Sequence, residues 1–259
     1  MNIVVCIKQV PDVDDIKWTK ENNLDRTQML SKINPYDEWA LDYAIKIKKS
    51  KSVDNVIITV ISMGPNQAEE SLRYCLAKGA DRAILLSDKF FAASDTLVTA
   101  KILSCAIKKF VPDFDLILTG QLAPDGDTAQ VPVSLAQLLG LADANHIVDV
   151  YKIDKNQTLV AQKIDNTIRM IELQNPCLFS VKKECDKSYV PKIADYIRAQ
   201  GAAVERYGAV DLELQKEEVG FIGSPTVVYQ SYRPVIEKNT IEIKENYSRT
   251  IMDFLLKGK

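Results

Sequence analysis

Leu116–Gly140 reads LILTGQLAPDGDTAQVPVSLAQLLG. Leu116–Thr119 is a short apolar run of the kind that forms a buried strand, and the part toward Gly140 carries apolar residues at helical spacing. Between them lies a loop with Gly120, Asp125, Gly126, Asp127 and Thr128 but no Lys or Arg. Strand, glycine-containing loop and helix start are the parts of a phosphate cradle, because the first N–H groups of a helix have no internal partner. The same order of parts also fits an ordinary connection. With no cation in the loop, contacts to an anion would come from backbone N–H groups, Thr128 and Gln130, with Asp127 capping the helix. The loop lacks both GxGxxG and GxxxxGK[ST], which excludes a Walker-type ATPase and gives little support to a standard dinucleotide fingerprint. Asp125 and Asp127 could hold Mg²⁺, but paired loop carboxylates more commonly face water, and no metal site is expected.

Upstream, the chain alternates strand and helix. Asn2–Ile7 (NIVVCI) is a continuous apolar run suited to a central parallel strand, with Lys8, Gln9, Val10 and Pro11 at its carboxyl end. Pro11–Leu30 is polar and irregular and reads as a small hairpin. Asn34 then caps a helix that has Pro35 in its first position and Asp37 and Glu38 in its first turn. Val56–Ser62 is a second strand, Gln67–Ala77 a helix closed by Gly79, Ala83–Leu86 a third strand, and Asp95 the cap of a helix to about Lys109. The order β-α-β-α-β-α-β-α predicts an α/β fold, a doubly wound, Rossmann-like parallel sheet. The loops after the first, second and fourth strands then share one rim, where open α/β sheets bind ligands.

Downstream, the pattern changes. His146–Ile153, Thr158–Ile164, Ile168–Leu173 and Leu178–Lys182 read as an antiparallel addition over about 145–200 at the sheet edge. Pro191–Ala203 has helical character. From Gly208 to Glu242 no period emerges, and Ile241–Lys257 ends in a short apolar helix. The organisation expected is a nucleotide-binding α/β domain over 1–205 and an extended C-terminal arm over 206–259 packed on another surface.

Composition narrows the function. The 259 residues include 33 basic and 35 acidic side chains, so no global field attracts nucleic acid or anionic lipid. No apolar run is long enough to cross a bilayer and the N-terminal one is too short for a signal peptide, so a cytoplasmic protein is expected. The five cysteines form no CxxC pair and read as buried, inert thiols. The single histidine, His146, leaves no two-histidine metal site and reads as structural. No nucleophile has an adjacent base, so no catalytic residue is assigned. The residues alone support adenine-nucleotide binding without a reaction.

Five motifs occur together in order: MNIVVCIKQVPD at 1–12, Ile33–Glu38 (INPYDE), Ser62–Pro65 (SMGP), Ala77–Asp81 (AKGAD) and Asp125–Gln130 (DGDTAQ). In order and spacing they resemble the β (small) subunit of electron transfer flavoproteins, well over about 1–200 and loosely beyond. The resemblance implies a heterodimer with an α subunit, embraced by the C-terminal arm. It also implies an adenine nucleotide held by Cys6, Lys8, Asn34, Pro35, Tyr36, Asp37, Met63 and the run Ala123, Pro124, Asp125, Gly126, Asp127, Thr128, Ala129, Gln130, Val131, Pro132, Val133 and Ser134. Members that only relay electrons hold AMP there; members that bifurcate electrons hold FAD, reduced by NADH. The DGDTAQV loop is similar to the bifurcating type, so FAD is expected, with AMP the alternative. Gly126 would admit backbone close to a pyrophosphate, and small Ala129 leaves room. Gln121 stands where that type usually carries Arg, Pro132 where it carries Gly, and Asp165-Asn166-Thr167 replaces an acidic-Gly-Gly turn. The resemblance further implies that a flavin-dependent dehydrogenase docks at about Glu184–Ala199, with Tyr189, Ile193 and Tyr196 as apolar anchors; packing on their own domain is the alternative.

Overall fold

The apolar runs pair as one nine-stranded sheet in the order β11-β5-β4-β1-β6-β10-β7-β8-β9. A computed structural model describes residues 1–12, 31–50, 52–186, 188–227 and 246–257. Strands β1 (Asn2–Cys6), β4 (Ile57–Met63), β5 (Arg82–Leu86) and β6 (Leu116–Gly120) are mutually parallel, each followed by a helix: α1 (Pro35–Ser50), α2 (Ala68–Lys78), α3 (Thr96–Phe110) and α4 (Val131–Leu139). Short strands β2 (Gln9–Pro11) and β3 (Ser31–Ile33) pair antiparallel apart from this sheet. They flank the expected hairpin, whose body lies outside the described residues.

Both faces of the sheet are buried, which is why its strands are continuously apolar. Ile3 and Val5 of β1, with Ile7 just past it, face one cluster with Leu41 and Ile45 of α1 and Leu72 of α2. Val4 and Cys6 face the other, with Ile102 of α3 and Leu135 of α4. Helices α1 and α2 therefore cover one face and α3 and α4 the other, the doubly wound arrangement expected. The chain runs outward from β1 to β4 and β5, then returns to lay β6 on the other side of β1. The gap between the ends of β1 and β6 is thus the topological switch point.

The antiparallel addition is β7 (Ala142–Ile153), β8 (Gln157–Ile164) and β9 (Thr167–Gln174). One expectation is corrected here. The run Leu178–Lys182 does not extend that pattern; β10 (Cys177–Val181) lies parallel between β6 and β7. All five of its residues are buried, which is the burial of a central strand. Helix α5 (Ile193–Gln200) packs beside α2, where Arg73 Nη1 donates to the carbonyls of Ala199, Gln200 and Ala202 at its C-terminus (2.8, 2.8 and 3.0 Å).

A second correction concerns the segment after Ala203. The chain stays on the sheet: β11 (Glu205–Tyr207) adds a parallel edge strand beside β5. Ala209, Leu212 and Val219 then enter the second core cluster. These scattered apolar residues have no period because each fills a separate gap on an existing surface. The short helix α6 (Gly220–Gly223) follows, and α7 (Tyr247–Lys257) carries exposed Ile251, Met252, Phe254, Leu255 and Leu256.

Candidate functional site

The first turn of α1 closes the gap between β1 and β6. Asn34 precedes the helix; its carbonyl accepts the Glu38 N–H (3.0 Å) and its Oδ1 the Tyr36 N–H (3.3 Å). Its N–H donates to the Lys8 carbonyl (2.9 Å) and its Nδ2 to the Leu122 carbonyl (2.8 Å). One buried side chain thus caps the helix and ties it to both strand ends. Asp37 repeats the connection: Oδ2 accepts the Lys8 N–H (2.8 Å) and Oδ1 the Gly120 N–H (2.9 Å). Burial pushes its carboxyl up to about 7, against the pull of these two N–H groups, Asn34 and Lys8. In the sequence Asp37 reads as a complement to the helix dipole and, by resemblance, as a nucleotide contact; its grip on the two strand ends has no local signal.

Gly120 is required where it sits. A Cβ there would lie 2.5 Å from Asp37 Oδ1 and 2.6 Å from Tyr36 Cβ. Gly126, in contrast, has nothing within 4 Å of a Cβ position.

Beyond Gly120 the loop leaves the sheet. The Gly126 and Asp127 N–H groups donate to the Ala123 carbonyl (3.1 and 2.8 Å), forming a turn. Asp127 (φ 48°) and Ala129 (φ 53°) are both left-handed, a conformation uncommon for residues with a Cβ and frequent in ligand-holding loops. Asp127 therefore does not cap α4, a correction to the sequence reading. Gln130 occupies that position without a side-chain cap, and Pro132 lies at the helix start. Among the described residues, the N–H groups of Thr128, Ala129, Gln130, Val131 and Val133 find no acceptor. They form a row of free donors at the positive end of α4.

The site is polar on its other sides too. Lys8 Nζ reaches across to Asp125 (2.7 Å to Oδ1 and 2.9 Å to Oδ2), so the loop, lacking a cation of its own, borrows one from β1. Asp125 serves this ion pair, and among the described residues no group of three or more metal-ligating side chains occurs. Thr119 Oγ1 and Gln121 Oε1 are buried without a hydrogen-bond partner on alternate residues at the end of β6. Cys6 closes the floor from β1, its thiol pushed up by burial and by the Asp37 charge. Met63 at the end of β4 is half-buried against the same cluster.

The structure therefore gathers Cys6, Lys8, Asn34–Asp37, Met63 and the 123–134 loop on one rim. Asn34 and Asp37 spend their side chains on the framework, whereas Lys8, Thr128 and the free N–H groups face outward. Sequence reasoning missed Thr119; its polar side chain ending an otherwise apolar strand was the available signal. Free N–H donors, an exposed lysine and two orphaned polar side chains suit a phosphate-bearing ligand with further hydrogen-bonding groups.

The docking candidates separate. Tyr189 is half-buried, its N–H donating to Asp42 Oδ1 (3.2 Å) and Lys49 Nζ lying 3.8 Å from its ring centroid. Ile193 is 80% exposed, and Tyr196 is exposed with its ring tilted against Tyr74. Val190 and Ile197, both exposed, extend the apolar row.

Known proteins resemble this chain along most of its length. The family described as "Electron transfer flavoprotein domain" matches residues 23–212. The electron transfer flavoprotein subunit beta of Thermoanaerobacterium thermosaccharolyticum is 40% identical over 240 residues, covering 92% of this chain and 90% of the relative. The caffeyl-CoA reductase-Etf complex subunit CarD of Acetobacterium woodii is 38% identical, covering 90% of this chain and 88% of the relative. Protein FixA of Azorhizobium caulinodans is 36% identical, covering 90% and 85%. The chain thus belongs to the electron transfer flavoprotein family, among its beta subunits.

Proposed function

We propose that this chain holds FAD in the crevice between β1 and β6 and relays electrons from NADH to a flavin-dependent dehydrogenase, by electron bifurcation. Beta subunits of this family pair with an α subunit and serve electron transfer. The carrying observation is the set of free N–H groups at Thr128, Ala129, Gln130, Val131 and Val133 in the loop whose Asp125 holds Lys8, a donor set suited to a pyrophosphate. In this reading Lys8 exchanges Asp125 for a ligand phosphate. Thr119 and Gln121 offer hydrogen bonds to the portion beyond, and α1 keeps the crevice at fixed width. Bound FAD supplies hydride acceptance and one-electron transfer; the protein supplies placement and water exclusion. The presence of a reductase-Etf complex subunit among the relatives supports a dehydrogenase or reductase as the partner.

Cofactor content of the purified α–β complex tests the reading. Acid release followed by chromatography is expected to give two FAD per heterodimer and no AMP. One FAD and one AMP would make this chain a structural and docking subunit.

The dehydrogenase docks, in this proposal, on the exposed row Val190, Ile193, Tyr196 and Ile197 of the α5 region. An Ile193→Asp substitution should leave unfolding and cofactor content unchanged and slow electron delivery to the dehydrogenase about tenfold or more, the usual cost of losing an apolar anchor. Unchanged delivery would return these residues to a purely local role.

A further inference from the structure

We infer that Asp37 is a positioning residue for the nucleotide crevice, holding the ends of β1 and β6 at a fixed separation so that retention of a nucleotide follows the ionisation of this one carboxyl. The inference rests on the reading that this crevice binds an adenine nucleotide.

The geometry is specific. The parallel ladder between β1 and β6 runs only to Val5 and Leu118. Past that point the strands separate, and the Lys8 and Gly120 N–H groups donate to the two oxygens of one carboxylate from α1 (2.8 and 2.9 Å). Asp37 is thus wedged where the sheet opens, and is 6% exposed. Each residue it holds begins one side of the crevice. Lys8 carries the ammonium that reaches Asp125, and Gly120 leads directly into the ligand loop. Neither oxygen is spare for a ligand, so Asp37 acts through the backbone it fixes.

Only the ionised carboxylate can do this in full. It presents an acceptor to each N–H; once protonated, one oxygen becomes a donor set against a donor, and one side of the crevice loses its anchor. Burial brings the titration to about 7. The groups around it come from every neighbouring element: Cys6 and Lys8 from β1, Cys75 from α2, and Glu38 on α1 itself. Burial pushes both thiols up, Glu38 is bound by Lys78, and Lys8 is bound by Asp125.

The test uses the purified α–β complex. Release of bound nucleotide is followed by filtration from pH 6 to pH 8.5, for the wild type and for Asp37→Asn. Wild-type retention should weaken about tenfold as pH falls through 7, the size expected for losing one charge-assisted hydrogen bond. The Asn variant, with one acceptor and one donor, should be weakened similarly at pH 8 and show a flat profile. A second measurement needs no variant. In wild-type complex freed of nucleotide, the amide resonances of Lys8 and Gly120 should titrate together with one midpoint near 7. Nucleotide retained with a flat wild-type profile and unmoved amides overturns the inference alone. Absence of adenine nucleotide at every pH, with the two amides still titrating together, overturns the crevice reading and leaves the strand-spacing role supported.

Discussion

Gly120→Ala should unfold at markedly lower denaturant than the wild type, with a loss of about 3 kcal/mol or more, combining overpacking with a broken buried hydrogen bond. The added methyl would lie 2.5 Å from Asp37 Oδ1, 2.6 Å from Tyr36 Cβ and 2.7 Å from the Tyr36 carbonyl carbon. All three belong to the first turn of α1, which the Asn34 bonds to Lys8 and Leu122 hold against the strand ends. Neither helix nor strand can yield without releasing the other. The same substitution at Gly126 provides the comparison. A methyl there meets nothing within 4 Å, so stability should change by no more than about 0.5 kcal/mol. Nucleotide affinity should nevertheless fall if a pyrophosphate passes close to that backbone. Urea unfolding of both variants separates the two roles of glycine in this loop: space for the protein's own helix at 120, and space for a ligand at 126. Equal stability of the two variants would contradict the packing described here.

Lys78→Met should cost about 3–5 kcal/mol, the usual penalty for stranding a buried charge. The Lys78 ammonium has no solvent exposure and lies 2.8 Å from both Glu38 Oε1 and Asp42 Oδ1. Tyr74 adds a hydroxyl bond to Glu38 (2.6 Å), and Asp42 also accepts the Tyr189 N–H. Methionine fills the volume of the lysine stem but leaves two carboxylates facing one another. Asp42 is already raised by burial and restrained by Lys78. Without the ammonium its folded-state pKa rises further above the unfolded value, so the folded form binds the extra proton. Stability of the variant then falls as pH rises through that window, and the penalty should be smaller at pH 5 than at pH 8. Adding Asp42→Asn to the variant should restore part of the loss, because the amide oxygen still accepts from Tyr189. A penalty independent of pH and untouched by the second substitution would show that the lysine acts through packing alone.

The parallel half of the fold was legible because its signals are local. Two-sided burial produced continuous apolar runs, Asn34 and Asp95 marked helix starts, and Gly79 marked an end. Strand β10 was misread because CLFSV states that it is buried but not beside what, and the preceding hairpin strands suggested continuation. The segment after Glu205 was misread for a related reason: Ala209, Leu212 and Val219 follow the contour of a surface already built. In the site, the strand–loop–helix pattern located the rim. Asp127 was given a cap it does not provide, because its left-handed backbone depends on the loop's closure onto Ala123. The Lys8–Asp125 pair and the two-stranded grip of Asp37 join residues far apart in sequence, and no local pattern encodes such pairings.

The central position of β10 has a consequence for synthesis. The chain emerges from its amino end, yet β6, beside the ligand crevice, keeps one bare edge until residues 177–181 have appeared and inserted between it and β7. A nascent chain halted before Cys177 presents a largely apolar strand with unpaired backbone groups, a template for association with other chains. Slow, non-local closure of this kind is where unassisted folding tends to stall. The hairpins of β7–β9 are local and can form first, so the strand that joins both halves of the sheet is made only after both of its neighbours.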